Sequence, residues 1–147
     1  MIARLVRILN AQGGDWSDPI KGADDVDGYS THRQDAAQML QMQVVRASND
    51  EHMWARLSRD GVVKLEFDAD RAADELMAAV VKKSKRYPAA QKSSLILLLD
   101  AGRTPGHTFH RVFNSFSSLH LEACRACGFG QVWAVGALDQ LVFRLDA

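Results

Sequence analysis

Residues 94–100 read SLILLLD, and every position from Leu95 to Leu99 is apolar. A strand with one wet face would alternate apolar and polar side chains. An unbroken apolar run bounded by Ser and Asp suits a strand buried on both faces, as at the centre of a helix-flanked sheet. The run is far too short to span a bilayer, so no membrane partner is expected. The chain has 147 residues, long enough to bury a sizeable core as one domain covering 1–147.

The remaining segments fit around that strand. Residues 2–11 place Ile2, Leu5, Val6, Ile8 and Leu9 on one helical face, and Gly13-Gly14 stops the helix. Residues 14–24 are polar and broken by Pro19, which predicts loop. Asp25 to His32 reads as a short strand, and residues 39–46 (MLQMQVVR) as a buried strand joined to it through RQDAAQ. Asn49-Asp50-Glu51 is a helix N-cap signature that predicts a short helix over 49–59. Residues 62–67 alternate as a strand. Asp68 or Asp70 caps a helix that runs to about Tyr87, where Pro88 enforces a stop. A long helix over 107–127 ends at Gly128, and two strands flank Gly136 to Gln140. Helices interleave with strands, so the expected fold is α/β, a single mixed β-sheet flanked by helices.

Lys and Arg together number 18, as do Asp and Glu. Balanced charge argues against a globally basic nucleic-acid binder and against disorder. The start MIARLVRILNAQGG has no ordered signal-peptide regions, so the expected compartment is the cytoplasm.

Two positions stand out chemically. Gln43 lies within LQMQVV, where a buried strand should not carry an amide without a partner. Asp25 and Asp27, two apart, share one face of the preceding strand. A carboxylate of this pair, the side-chain carbonyl of Gln43 and a backbone carbonyl supply the oxygen ligands that Mg²⁺ prefers. On the helix after these strands, Leu76, Val80, Lys83 and Tyr87 form a single stripe, which sets Lys83 on or beside the buried face. A lysine there either snorkels or serves a site. Lys82, Lys83, Lys85, Arg86 and Lys92 make a basic stretch without an acid, suited to phosphate. By default it is a solvated helix C-terminus complementing the macrodipole.

A carboxylate on the first hairpin strand, an acid or Gln on the second and a lysine nearby resemble the PD-(D/E)XK, or restriction-endonuclease-like, superfamily. The segment LQMQVVRA, with KSKRYP, SLILLLDA and QVWAVG after it, is similar to uncharacterised bacterial relatives in which a Gln-Val pair replaces the acid-x-Lys. The resemblance implies a core of helix, three-stranded meander, helix and strand. It places the family's Pro-Asp step at Asp24-Asp25 and its acid-x-Lys at Gln43-Val44-Val45. Gln43 stands in for the acid, and the lysine migrates to Lys83 on the next helix. The activity that the resemblance implies is that of a Mg²⁺-dependent nuclease. In it Asp25, Asp27 and Gln43 hold the metal, and Asp25, Gln43 and Lys83 act in catalysis. Lys82, Lys85, Arg86 and Lys92 attract nucleic acid. The alternative is a catalytically inactive scaffold of the same fold that binds a protein partner or pairs with itself as a homodimer.

A rival constellation lies in GHTFHRVFNSFSSLHLEACRACGFG. His120, Cys124 and Cys127 fall at i, i+4, i+7, with His107 and His110 upstream, and Cys and His are natural Zn²⁺ ligands. Phe109, Phe113, Phe116, Ala123 and Cys127 form an apolar stripe through the same helix, and core packing is the better reading than zinc.

Overall fold

The computed structural model describes residues 1–23, 26–47, 68–102, 104, 106–138 and 140–147. The expected helix over 49–59 and strand over 62–67 lie outside the described residues, as does Asp25. In chain order the elements are α1 (Ile2–Ala11), β1 (Ile20–Lys21), β2 (Gly28–Thr31), β3 (Met39–Arg46), α2 (Ala69–Ser84), α3 (Ala89–Lys92), β4 (Leu95–Asp100), a 3₁₀ turn (Gly106–Thr108), α4 (Phe109–Ala126), β5 (Gln131–Val135) and β6 (Val142–Arg144).

The strands form one mixed sheet in the order β1-β2-β3-β4-β5-β6. β1, β2 and β3 are an antiparallel meander, β3, β4 and β5 are parallel, and β6 returns antiparallel to β5. β4 is therefore central, and all of Leu95 to Leu99 is buried. Its residues divide by parity, as a strand requires. Leu95, Leu97 and Leu99 join Leu76, Val80 and Phe116 in the larger core, under α2 and α4. Ile96 and Leu98 join Leu5 and Val6 of α1, with Met42, Trp133 and Val135, on the opposite face. Helices thus cover both faces, as the apolar run requires.

Local chemistry sets the element ends. Asp68 caps α2 by accepting hydrogen bonds from the backbone N–H groups of Asp70 and Arg71, at 3.0 and 3.2 Å. α2 ends at Ser84, one turn before the expected Tyr87, because Pro88 disfavours helical geometry ahead of it. Tyr87 is nevertheless buried beyond the helix end. Gly128, with φ of +78°, closes α4.

One expectation needs correcting. Residues 14–24 are not all loop, since Ile20–Lys21 pair with Tyr29 and Gly28 as an edge strand. Two exposed residues carry no alternation to read, and pairing with β2 alone defines them. Among the described helices none is long and apolar enough to cross a membrane.

Candidate functional site

β2 and β3 stop pairing at one point. Their last register pair is Gly28 with Met42, and the Asp27 N–H still donates to the Met42 carbonyl at 3.0 Å. Beyond it β3 runs on through Val44, Val45 and Arg46 while paired to β4 on its other side. The hairpin therefore opens into a notch along the outer edge of β3. Asp27 reaches across this notch, and its Oδ2 accepts the Val44 backbone N–H at 2.7 Å. The carboxylate takes the place of the strand that has diverged.

Gln43 meets Asp27 in the notch. Its Nε2 donates to the same Asp27 Oδ2, and also to the Val44 carbonyl at 3.1 Å. Its Oε1 accepts from the Tyr87 hydroxyl at 3.0 Å. Gln43 is 7% exposed and Tyr87 9%, so both ends of a buried amide are satisfied, which answers the anomaly seen in the sequence. Gln43 and Lys83 are on the same side of the sheet, because Gln43 pairs with Leu97 and Val45 with Leu99 on the α2 face.

A groove of about 580 Å³ lies between β3 and α2. Val45, Arg46 and Ala47 line one wall, and Arg71, Glu75, Ala78, Ala79, Lys82, Lys83 and Arg86 the other. Lys83 is half-buried there, on the stripe the sequence predicts. Among the described lining residues five cations stand with one carboxylate, in a chain whose formal net charge is zero. Arg71 makes a loose, exposed contact of 3.6 Å with Glu75.

The structure thus joins Asp27 to Gln43, and separately sets Lys82, Lys83 and Arg86 along a groove whose lining includes neither Asp27 nor Gln43. Lys85 lies just past the end of α2, and Lys92 closes α3; neither lines the groove. Three groove or notch residues escaped sequence reasoning. Tyr87 was visible only as the last member of the Lys83 stripe. Arg71 lies three turns before Lys82 on the same helix face, so its spacing was a usable signal. Arg46 had none, since its place depends on β3 outrunning β2.

For a hard cation the notch offers the Asp27 carboxylate, the Gln43 amide oxygen and the Val44 carbonyl. Asp27 is exposed, and both its described donors land on Oδ2, leaving Oδ1 outside those two bonds. Turning the Gln43 amide over would present Oε1 to Asp27 and Nε2 to Tyr87. A phenol both donates and accepts, so the amide keeps a partner either way. With the amide turned, the oxygens of Asp27, Gln43 and Val44 are of the type that Mg²⁺ takes. Among the described residues no three His, Cys, Asp or Glu side chains gather into a metal cluster.

The chain matches no family model, no curated protein and no solved structure.

The rival His/Cys segment is built into the packing of α2 on α4. His120 Nε2 lies 2.7 Å from Asp74 Oδ1, joining the two helices. His110 packs edge-on against Phe143. Cys124 is in the core, where burial first and the charge of Asp146 second push its thiol up to about 12. It is protonated at neutral pH and behaves as a small hydrophobe.

Proposed function

We propose that this domain is a Mg²⁺-dependent nuclease of restriction-endonuclease-like type, acting on nucleic-acid phosphodiesters. The observation that carries this reading is the meeting of Asp27 and Gln43 where the hairpin opens, beside a basic groove that contains Lys83. Further support comes from the order of the described elements, a helix and a three-stranded meander and then, beyond residues 48–67, a helix and a strand, which follows the order the resemblance implies. Asp27 takes the part of the strand carboxylate, Gln43 that of the second ligand, and Val45 leaves the lysine role to Lys83 across the groove.

Asp27 and Gln43 would hold the metal, with the Val44 carbonyl beside them. When bound, Mg²⁺ supplies Lewis acidity toward the phosphate. The Lys83 ammonium orients the attacking water and stabilises the charge that develops on the phosphate oxygens. Lys82 and Arg86 hold neighbouring phosphates. The α2 helix keeps Lys83 at fixed height above β3, because Leu76 and Val80 on its stripe are locked in the core.

The test is cleavage of plasmid, single-stranded DNA and RNA with Mg²⁺ or Mn²⁺ by wild type, Asp27→Ala and Lys83→Ala. Each substitution is expected to lower the rate by about 10²-fold or more. Equal cleavage by all three would remove the assignment. One observation favours the second reading, an inactive scaffold for protein contacts. Both ends of the Gln43 amide are bonded within the protein, to Asp27 and to Tyr87, as in a purely structural network. Folded wild type that cuts none of these substrates under either metal would support it.

A further inference from the structure

The end of α4 carries chemistry that the notch does not use. Its two thiols, Cys124 and Cys127, are the only cysteines in the chain, and both are free. Cys124 is 1% exposed and Cys127 is half-buried. Both pack against the larger core, so their side chains leave the helix in the same direction.

Backbone geometry sets the two at bonding range. Three residues along an α-helix, two Cα atoms lie about 5 Å apart, and along a 3₁₀ turn about 6 Å. A disulfide spans Cα atoms about 4.4–6.8 Å apart. α4 closes in the tighter form: the Cys127 N–H donates to the Cys124 carbonyl at 3.1 Å, and the Gly128 N–H to the Arg125 carbonyl at 3.0 Å. In such a turn side chains at i and i+3 eclipse, which sets one Cβ above the other. Arg125 and Ala126 between them are exposed, so the turn can tighten without moving a packed side chain. Electrostatics agree. Burial first, the charge of Asp146 second and that of Cys127 third push the Cys124 thiol up to about 12, against a smaller opposing effect of Arg125. The two sulfurs therefore sense each other.

We infer that Cys124 and Cys127 are a peroxide-responsive thiol pair, which closes reversibly into a disulfide at the end of α4. The pair is separate from the notch and does not depend on nuclease activity there.

The half-buried thiol reacts first. Its thiolate attacks hydrogen peroxide, the O–O bond breaks, and Cys127 becomes a sulfenic acid while hydroxide leaves. Cys124 is held as an uncharged thiol in the core, so it meets the sulfenic acid rather than peroxide. Its sulfur attacks the Cys127 sulfur. The S–S bond forms, the S–O bond breaks, and the departing hydroxide takes the Cys124 proton as water. The thiol pair gives up two electrons and two protons, and peroxide becomes two waters. The closed loop spans only residues 124–127, so chain entropy adds little to its stability and the bond belongs to the reducible class.

With no other cysteine in the chain, the number of thiols that react with iodoacetamide reads the state of the pair directly. The reduced full chain is treated with hydrogen peroxide in EDTA, denatured in iodoacetamide and weighed intact by mass spectrometry. Wild type should become a monomer that takes up no iodoacetamide. Dithiothreitol added to the oxidised protein before denaturation should restore both alkylation sites. Cys127→Ala should lose its remaining thiol at least about ten-fold more slowly than wild type forms the disulfide. Cys124→Ala should stop at a sulfenic acid that dimedone captures at Cys127.

Wild type that keeps both thiols, links two chains together, or ends as a sulfinic acid at Cys127 with Cys124 still alkylated would overturn the proposal. Thiol loss in Cys127→Ala as fast as in wild type would do the same. The wild-type result decides the pairing by itself, so a variant that fails to fold leaves the test intact.

Discussion

Gln43 and Leu97 sit opposite each other on one rung of the β3–β4 ladder and face the same core, one 7% exposed and the other fully buried. They are held there by different means. Leu97 is surrounded by apolar side chains from α2, α4 and both neighbouring strands, and no single partner decides its place. Gln43 depends on three named atoms: Tyr87 Oη, Asp27 Oδ2 and the Val44 carbonyl. Apolar burial is non-directional and scales with area. A buried amide is stable only while each of its polar atoms keeps a partner. The centre of the sheet therefore tolerates many apolar sequences, whereas the notch at its edge demands particular residues just before β2, on β3 and in the segment after α2.

The largest stability effect should fall on the apolar side. Leu97→Ala removes a fully buried side chain from a core closed on both sides and should cost about 2–5 kcal/mol. Denaturant unfolding followed by circular dichroism measures it. A loss below about 1 kcal/mol would mean that the centre of the sheet is not the rigid part of the fold.

The polar side should show a smaller cost with a distinctive pattern. Tyr87→Phe leaves Gln43 Oε1 buried without its donor and should cost about 1–3 kcal/mol. Gln43→Met alone removes the Oε1 acceptor of the Tyr87 hydroxyl. Combining the two removes both ends of the hydrogen bond, and the double variant should lose clearly less than the sum of the singles. Strict additivity in the same unfolding experiment would mean that the Tyr87–Gln43 bond contributes no coupling.

The last effect concerns pH and is absent at neutrality. Burial raises the Cys124 thiol from 9.0 to about 12 in the folded chain. The unfolded chain ionises first, so it binds fewer protons than the folded one above about pH 9. Stability should therefore be unaffected by this group below pH 9 and fall between 9 and 12, by at most about 1.4 kcal/mol per pH unit. Unfolding melts of wild type and Cys124→Ala across that range isolate the term: the variant should lose less stability on going from pH 8 to 11. Parallel curves would show that the thiol is not protected by the core.

Much of the fold was legible because its signals are local. The run at 95–99, the stripe ending at Tyr87, the stop at Pro88 and the cap at Asp68 each lie within a few residues of the structure they specify. The site was legible only in part. Gln43 stood out as an amide in an apolar strand, and Lys83 by its place on the stripe. The edge strand Ile20–Lys21 was hidden, since two residues have no periodicity. Lys85 and Lys92 were grouped with Lys82 and Arg86 by sequence proximity, but helix phase and the turn at Pro88 carry them away from the groove.

The sequence by itself determined an α/β domain with a central strand buried on both faces, because burial on two faces leaves an unbroken apolar run and on one face leaves a stripe. Tertiary structure alone decided that β3 outlasts β2 by several residues. From that mismatch come the notch, the Asp27 carboxylate on the Val44 N–H, and the place of Arg46 on the groove wall. It alone decided as well that the partner of Gln43 is a tyrosine 44 positions away. Strand register and long-range hydrogen bonds depend on how whole elements dock, and no local pattern encodes which polar atoms will meet once they do.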